Sequence, residues 1–300
     1  MKIPPSDRGT IMEGTAFILL TQGIHGISYG LVLFLAASGL SMIFGLMDIL
    51  NLSHAYLFML AAYFAFSIAQ VTNFWVALLL APLAIACIGM LLERYLIKPV
   101  HPFGHTPELV LTLGIGMVLL EVVKSIWGTT MLTVMPPESL QGFIPIGYLK
   151  YPVYRIFIIV FTIIILCGLH QLFRRTRFGT IVRAATVNSD MVSALGINVP
   201  RIYTLFFGFG TWLAGLAGVV VAPLLSVHPG LADQVGLDAF VVVVLGGLGS
   251  LWGAFVASIL IGLLNTYGIQ LIPTVAPLIT FSLMVLVLTV KPTGLFGDRQ

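Results

Sequence analysis

The sequence predicts an all-α, polytopic integral membrane protein, and three observations predict it. Of the 300 residues, 59% are hydrophobic and only 8% charged, whereas soluble domains run about 45–50% apolar and about 25% charged. Several long intervals carry no Asp, Glu, Lys or Arg, and a membrane-crossing helix needs about 20 largely apolar residues. The apolar runs are also continuous, whereas barrel strands alternate over segments of about ten residues.

Taken in order, residues 14–47 are free of charge and make one long helix. The interval 49–92 holds two helices, with VTNFW at 71–75 as the turn. One helix is predicted near 107–127, one near 156–173 and one from 202 to about 227. The interval 239–290 is wide enough for two. That makes about eight hydrophobic elements in a single membrane domain, 1–300. The N-terminal MKIPPSDRGTIMEG carries charges of both signs, and the run after it does not stop at a small-residue cleavage site. It is therefore read as a retained start and not a secretory signal. Cys87 and Cys167 lie far apart in apolar runs without metal-ligand spacing, and are expected to act as small buried hydrophobes.

Orientation follows from the basic residues, which mark cytoplasmic loops. Five of the fourteen Lys and Arg residues fall in the stretch RRTRFGTIVRAATVNSDMVSALGINVPR, 174–201. That segment is cytoplasmic, in agreement with ERYLIKPVHPFGH and with Lys291 and Arg299. The connection 128–151 is then external, as is HPGLADQVGLD with Asp233 and Asp238. From an external Asp238, two full crossings would leave the C-terminus outside. Two readings of VVVVLGGLGSLWGA stay open. Gly246, Gly247 and Gly249 make a glycine-broken, re-entrant hinge that restores the parity, or they let two helices pack closely.

Within 174–203, Ala184, Val187, Met191 and Leu195 recur at helical spacing and form one apolar stripe. Gly196 is a plausible stop and Pro200 ends any continuation. A short amphipathic helix of this kind needs a cover, since a turn or two of free helix is unstable in water. Its stripe packs on the protein's own helix ends, meets anionic lipid headgroups, or docks in a groove of a cytoplasmic partner.

These residues carry a resemblance. FRRTRFGTIVRAATVNSDMVSALGINVPRIYTLFFGFGTWLAGLAGVV, SMIFGLMDILNLSHAYLFMLAAY, ERYLIKPV, VLGGLGSLWGAFVASILIGLLN and LTVKPTGLFG stand in order along nearly the whole chain. Together they resemble the branched-chain amino-acid permeases of bacterial ABC importers. The resemblance implies that the loop, about 174–203, couples the permease to an ATPase. Its short helix would sit in a cleft of the ATP-hydrolysing subunit through Arg183, Ala184, Ala185, Asp190, Leu195 and Gly196. Arg183 stands where importer loops commonly have Glu, while Gly196, Ile197 and Pro200 echo their usual ending. The family also shows an Asn-x-x-His block close to its translocation route. Here that block is Asn51 and His54, followed by Ala55 and Tyr56 where many relatives carry Gly-Glu.

Read without the resemblance, Asn51, Ser53 and His54 are either glue between helices or part of a wet path. No G-x-x-x-x-G-K-[ST] loop occurs, so ATP is not hydrolysed here by that route. No pairing of nucleophile and base suggests an enzyme. Self-powered carriers usually keep an ionisable group at membrane depth, and the candidates seen are few. Glu121 and Lys124 form an i, i+3 pair, Asp48 faces interfacial water or caps a helix, and His25 is packed or interfacial.

The expectation is an ABC-importer permease subunit, multi-pass in the bacterial inner (plasma) membrane and surrounded by membrane lipids. It would work with a homologous second permease subunit, two ATP-binding subunits and an external solute-binding protein. The small-molecule substrate is a small amino acid or related amide-like solute. Neither a cofactor nor nucleic acid is expected. The alternative is a stand-alone carrier or channel.

Overall fold

The computed structural model describes residues 5–146 and 149–297. Residues 1–4 of the N-terminal stretch read as retained, and Arg299 of the orientation argument, lie outside the described residues. Eleven helices carry the chain: α1 (Pro5–Met47), α2 (His54–Val71), α3 (Phe74–Leu92), α4 (His105–Trp127), α5 (Val153–Arg175), α6 (Arg177–Val187), α7 (Ser189–Ala194), α8 (Val199–Val221), α9 (Leu231–Gly246), α10 (Leu251–Leu271) and α11 (Ala276–Val290). Among the described residues, seven helices are long and apolar enough to cross a membrane, and Leu278–Val290 is a shorter apolar one. The fold class is as predicted.

Local chemistry explains several boundaries. The α2–α3 turn falls in VTNFW, where Asn73 caps α3 by accepting from the Val76 amide at 3.0 Å. α3 continues through a π-helical turn, Glu93–Ile97, and the whole element Phe74–Phe103 has span length. Pro223 follows the end of α8, so that helix stops short of the expected 227. The connection after α4 carries a small antiparallel hairpin, β1 (Phe143–Ile146) with β2 (Leu149–Pro152).

Helices α1 and α8 form the buried centre. Glycines let α1 meet α10 backbone to backbone. A Cβ on Gly26 would lie 2.9 Å from Leu263 Cα, and one on Gly30 would lie 2.5 Å from the Ser258 carbonyl oxygen. The contact partners fall as the α1 numbers rise, so the two helices are antiparallel. Close approach of this kind is how small residues hold membrane helices together.

The helix break expected at Gly246–Gly249 is present, and a further helix precedes it. Asp233 and Asp238 do not lie in a loop; they belong to α9, so three helices, not two, follow α8. α9 has 16 residues, about 24 Å at 1.5 Å per residue and short of the roughly 30 Å hydrocarbon core. Gly247 and Gly249 have φ of 101° and 83°, in the left-handed region open to glycine, and turn the chain from α9 into α10. A Cβ on Gly249 would lie 2.9 Å from Gly45 Cα, near the C-terminal end of α1. The Leu295 and Phe296 amides donate to the Leu245 and Gly246 carbonyls at 2.8 and 3.0 Å. The segment after α11 thus returns to the end of the molecule that carries α6 and α7. At the opposite end, Leu132 and Val227 exchange backbone hydrogen bonds of 2.9 and 2.8 Å. The two connections predicted to be external therefore share a side.

Two smaller expectations are corrected. Cys87 and Cys167 are exposed on the outer surfaces of α3 and α5 and are not buried. The loop 174–203 holds two helices, because Asn188 (φ −157°, ψ 96°) leaves the helical region between α6 and α7.

Candidate functional site

The chain between α1 and α2 is not helical, and its backbone groups still need partners inside the membrane domain. Side chains supply them. Asn51 Oδ1 accepts from the Ser53 amide at 3.1 Å and from Ser53 Oγ at 2.5 Å, closing the turn that starts α2. Thr112 on α4 accepts from the Leu52 amide at 3.3 Å. Asp48 sits exposed at the end of α1 with φ 55°, its amide bonded to the Phe44 carbonyl at 2.8 Å. It faces His105 Nε2 at 3.4 Å.

His54 Nε2 lies 3.1 Å from the Ala36 carbonyl oxygen. A carbonyl only accepts, so this nitrogen carries the proton and Nδ1 presents a lone pair. Both His54 Nδ1 and Asn51 Nδ2 are buried without a protein partner, and both residues line a cavity of about 340 Å³ between α1, α2, α4 and α9. An unmet buried polar group costs about 1–3 kcal/mol, so these atoms gain a partner when the side chains turn toward a polar occupant of the cavity. Tyr56 and Asp233 lie on the same wall, with Tyr56 Oη donating to Asp233 Oδ1 at 3.4 Å. The turn role of Asn51 and Ser53 and the cavity role of Asn51 and His54 thus coexist in one short segment.

A second, larger cavity of about 620 Å³ lies toward the end opposite α6 and α7, between α1, α5, α9, α10 and α11. Leu237 lines both cavities, so they share a wall. In the larger one Asp238 Oδ2 accepts from Tyr29 Oη at 2.8 Å and from Asn265 Nδ2 at 3.3 Å. His25 lines it while stacking on Tyr151 at 5.3 Å between ring centroids. Arg155 was not singled out in the sequence, and Asp238 was read only as part of a connection. The available signal was a lone acid on the helical face of an otherwise apolar run, but the aspartate looked like part of an external loop. Glu93 and Glu108 were missed in the same way. Each is buried, Glu93 accepting from Thr204 Oγ1 at 2.5 Å and Glu108 pairing with His101 Nδ1. Glu121 and Lys124 pair locally at 2.7 Å, as expected.

The segment 174–203 is built from caps. Thr176 accepts from the Gly179 amide at 3.1 Å to start α6, and Asn188 accepts from the Met191 amide at 2.9 Å to start α7. Gly196 takes φ 84° after α7, with its amide on the Ser193 carbonyl and the Ile197 amide on the Val192 carbonyl. This is the Schellman ending that favours glycine. Val182, Ala185 and Val192 face inward and are buried. Ala184, Asp190 and Gly196 are exposed, as are Val187, Met191 and Leu195, at 87%, 61% and 74%. The predicted stripe therefore does not pack on the protein's own helix ends; a different stripe does. Of the six residues singled out for coupling, Ala185 points the wrong way for a partner. Arg183 Nη1 donates to the Phe173 carbonyl and ties α6 to the end of α5. Arg183 and Val187 also line a cleft with Met42, Gly45 and Leu46 of α1 and with Gly249.

The chain is thus a helical membrane domain with two adjoining cavities that carry a few polar groups, and a short helical segment set against the end of its central helix α1. Residues 24–289 match the family described as the branched-chain amino acid transport system / permease component, and the chain belongs to that family. It is a multi-pass membrane protein. It is 27% identical over 296 residues to the high-affinity branched-chain amino acid transport system permease protein BraD of Pseudomonas aeruginosa, covering 94% of this chain and 96% of that relative. To the high-affinity branched-chain amino acid transport system permease protein LivH of Escherichia coli K12 it is also 27% identical, with the same coverage. The fructose import permease protein FruF of Bifidobacterium longum is 31% identical over 188 residues, 61% of this chain and 50% of that protein. No solved structure matches the chain significantly.

Proposed function

We propose that this chain is the permease subunit of a binding-protein-dependent ABC importer that passes a small amino acid or related amide-like solute. It works with two ATP-binding subunits, a homologous second permease and an external solute-binding protein that delivers the solute. The observation that carries the reading is the outward apolar stripe of α6 and α7. An apolar helix face turned away from its own chain is the shape a helix-in-groove partner takes up. The same helices bury their other face on the membrane domain next to Gly45 of α1. α1 in turn lines both cavities, with Tyr29 in one and Ala36 and Leu40 in the other. A push on α6 thus has a direct route to the walls of the path. Hydrolysis occurs in the separate subunits, and closure of their groove tilts α6 against α1 to open the cavities on alternate sides.

Reconstitution in liposomes tests this. Uptake of labelled solute is expected only when ATP, the ATP-binding subunits and the binding protein are all present. Uptake by this chain alone without ATP would make it a stand-alone carrier or channel. A narrower test concerns the inner cavity. His54→Leu keeps the side-chain volume but removes the lone pair of Nδ1. Transport per folded molecule should fall about tenfold, the equivalent of one hydrogen bond to the solute of about 1.4 kcal/mol. Loss of folded protein with unchanged transport per molecule would make His54 a packing residue only.

A further inference from the structure

We propose that the outer cavity is a recognition site for zwitterionic α-amino acids, with Arg155 holding the carboxylate and Asp238 the ammonium. The proposal rests on the reading of the chain as an importer permease and assigns the chemistry of its outer mouth. Among the described residues, Arg155 and Asp238 are the only Asp, Glu, Lys or Arg lining that cavity. Among the described residues they form no ion pair with each other or with any other group. Ionisable groups inside a membrane domain are costly and normally pair. Two opposite charges that share a cavity without pairing leave room for a ligand carrying the complementary pair.

Their surroundings set the geometry. Asp238 is held from one side, because Tyr29 Oη and Asn265 Nδ2 both donate to Oδ2, and Oδ1 is left for an ammonium group. Arg155 stands in the first turn of α5 and lines the same cavity, where its planar fork suits a carboxylate. Neither residue alone would select a zwitterion. Together they make a cavity of zero net charge that favours a zwitterion over a lone cation or anion. Leu225, Leu237 and Phe281 supply apolar wall for the side chain of the amino acid, the mix of apolar lining and few convergent polar groups expected of a ligand pocket.

The test uses the full chain in proteoliposomes, with Cys87 and Cys167 replaced by serine and Thr266→Cys placed in the same cavity. A membrane-impermeant, charged thiol reagent is added on the side opposite the coupling helices. L-leucine is expected to slow labelling of the new cysteine. Leucinamide, which lacks the carboxylate, and isocaproate, which lacks the ammonium, should require at least about tenfold higher concentration for the same protection. Arg155→Gln should abolish the preference for leucine over leucinamide, and Arg155→Lys should restore part of it. Asp238→Asn, which keeps an acceptor for Tyr29, should abolish the preference over isocaproate. Leu224→Cys, on another wall, serves as a second reporter if the first variant folds poorly. Equal protection by the three compounds, protection by none, or an unchanged preference in Arg155→Gln overturns the proposal. The assay needs neither ATP nor partner subunits. Failure of ATP-driven uptake would therefore overturn the importer reading and leave this result standing.

Discussion

Val187→Asp combined with Leu195→Asp is expected to leave the chain inserted and folded while ATP-driven uptake falls more than about thirtyfold. Both side chains are exposed, at 87% and 74%, so neither carboxylate enters the protein's own core. A buried apolar anchor at a protein interface is worth about 2 kcal/mol or more, which is about thirtyfold in binding, and a carboxylate in an apolar groove adds a desolvation cost. ATP hydrolysis by the motor subunits should persist but cease to respond to solute. The matched control is Ala185→Asp, a substitution on the inward face. Ala185 is 4% exposed, so an acid there should detach α6 from α1 and lower thermal stability as well as transport. The measurements are membrane abundance, unfolding temperature, hydrolysis and uptake on the same preparations. Normal uptake by Val187→Asp, Leu195→Asp would reduce the loop to an anchor.

The largest effect on folding is expected from Gly210→Leu. A Cβ at this position would lie 2.6 Å from Ile43 Cγ1 and 2.9 Å from the Gly39 carbonyl oxygen. α1 and α8 therefore cross almost backbone to backbone at the centre of the molecule. Forcing extra methylenes into a packed core costs about 1–3 kcal/mol, and the obstacle here includes backbone that cannot rotate away. His54 shares the crossing, since a Cβ on Gly39 would lie 3.0 Å from its Cε1, so the inner cavity should be lost as well. Little folded protein should be recovered from detergent. Gly114→Leu is the control: a Cβ there meets nothing within 4 Å, and leucine is the better helix former by several tenths of a kcal/mol. A normal elution profile and unfolding temperature for Gly210→Leu would show that the two helices can separate freely.

Parts of the site were legible because their signals are local. The Asn51–His54 segment interrupts an apolar run with three polar side chains, and Gly196 ends its helix as its local chemistry demands; the caps at Thr176, Asn188 and Asn198 are as local but were not read. The stripe itself was also legible, since Ala184, Val187, Met191 and Leu195 recur at helical spacing, but neither its direction nor the break at Asn188 was. Which of two possible stripes turns toward the membrane domain was not legible, since Val182, Ala185 and Val192 are just as apolar. Asp238 was misplaced because a carboxylate reads as surface unless its partners are known. Those partners, Tyr29 and Asn265, are 209 and 27 residues away.

The sequence by itself determined that this chain is a bundle of membrane helices and which family it joins. Hydrophobicity, helix periodicity and charge bias are sums over neighbouring residues, so one dimension suffices to read them. Only the tertiary structure decided that three helices close the chain, that two cavities share Leu237 as a wall, and that Arg155 and Asp238 both line one of them. Those outcomes depend on close crossings between distant segments, where the absence of a side chain at Gly30, Gly39 or Gly210 sets how near two backbones come and therefore which polar groups are left facing a cavity.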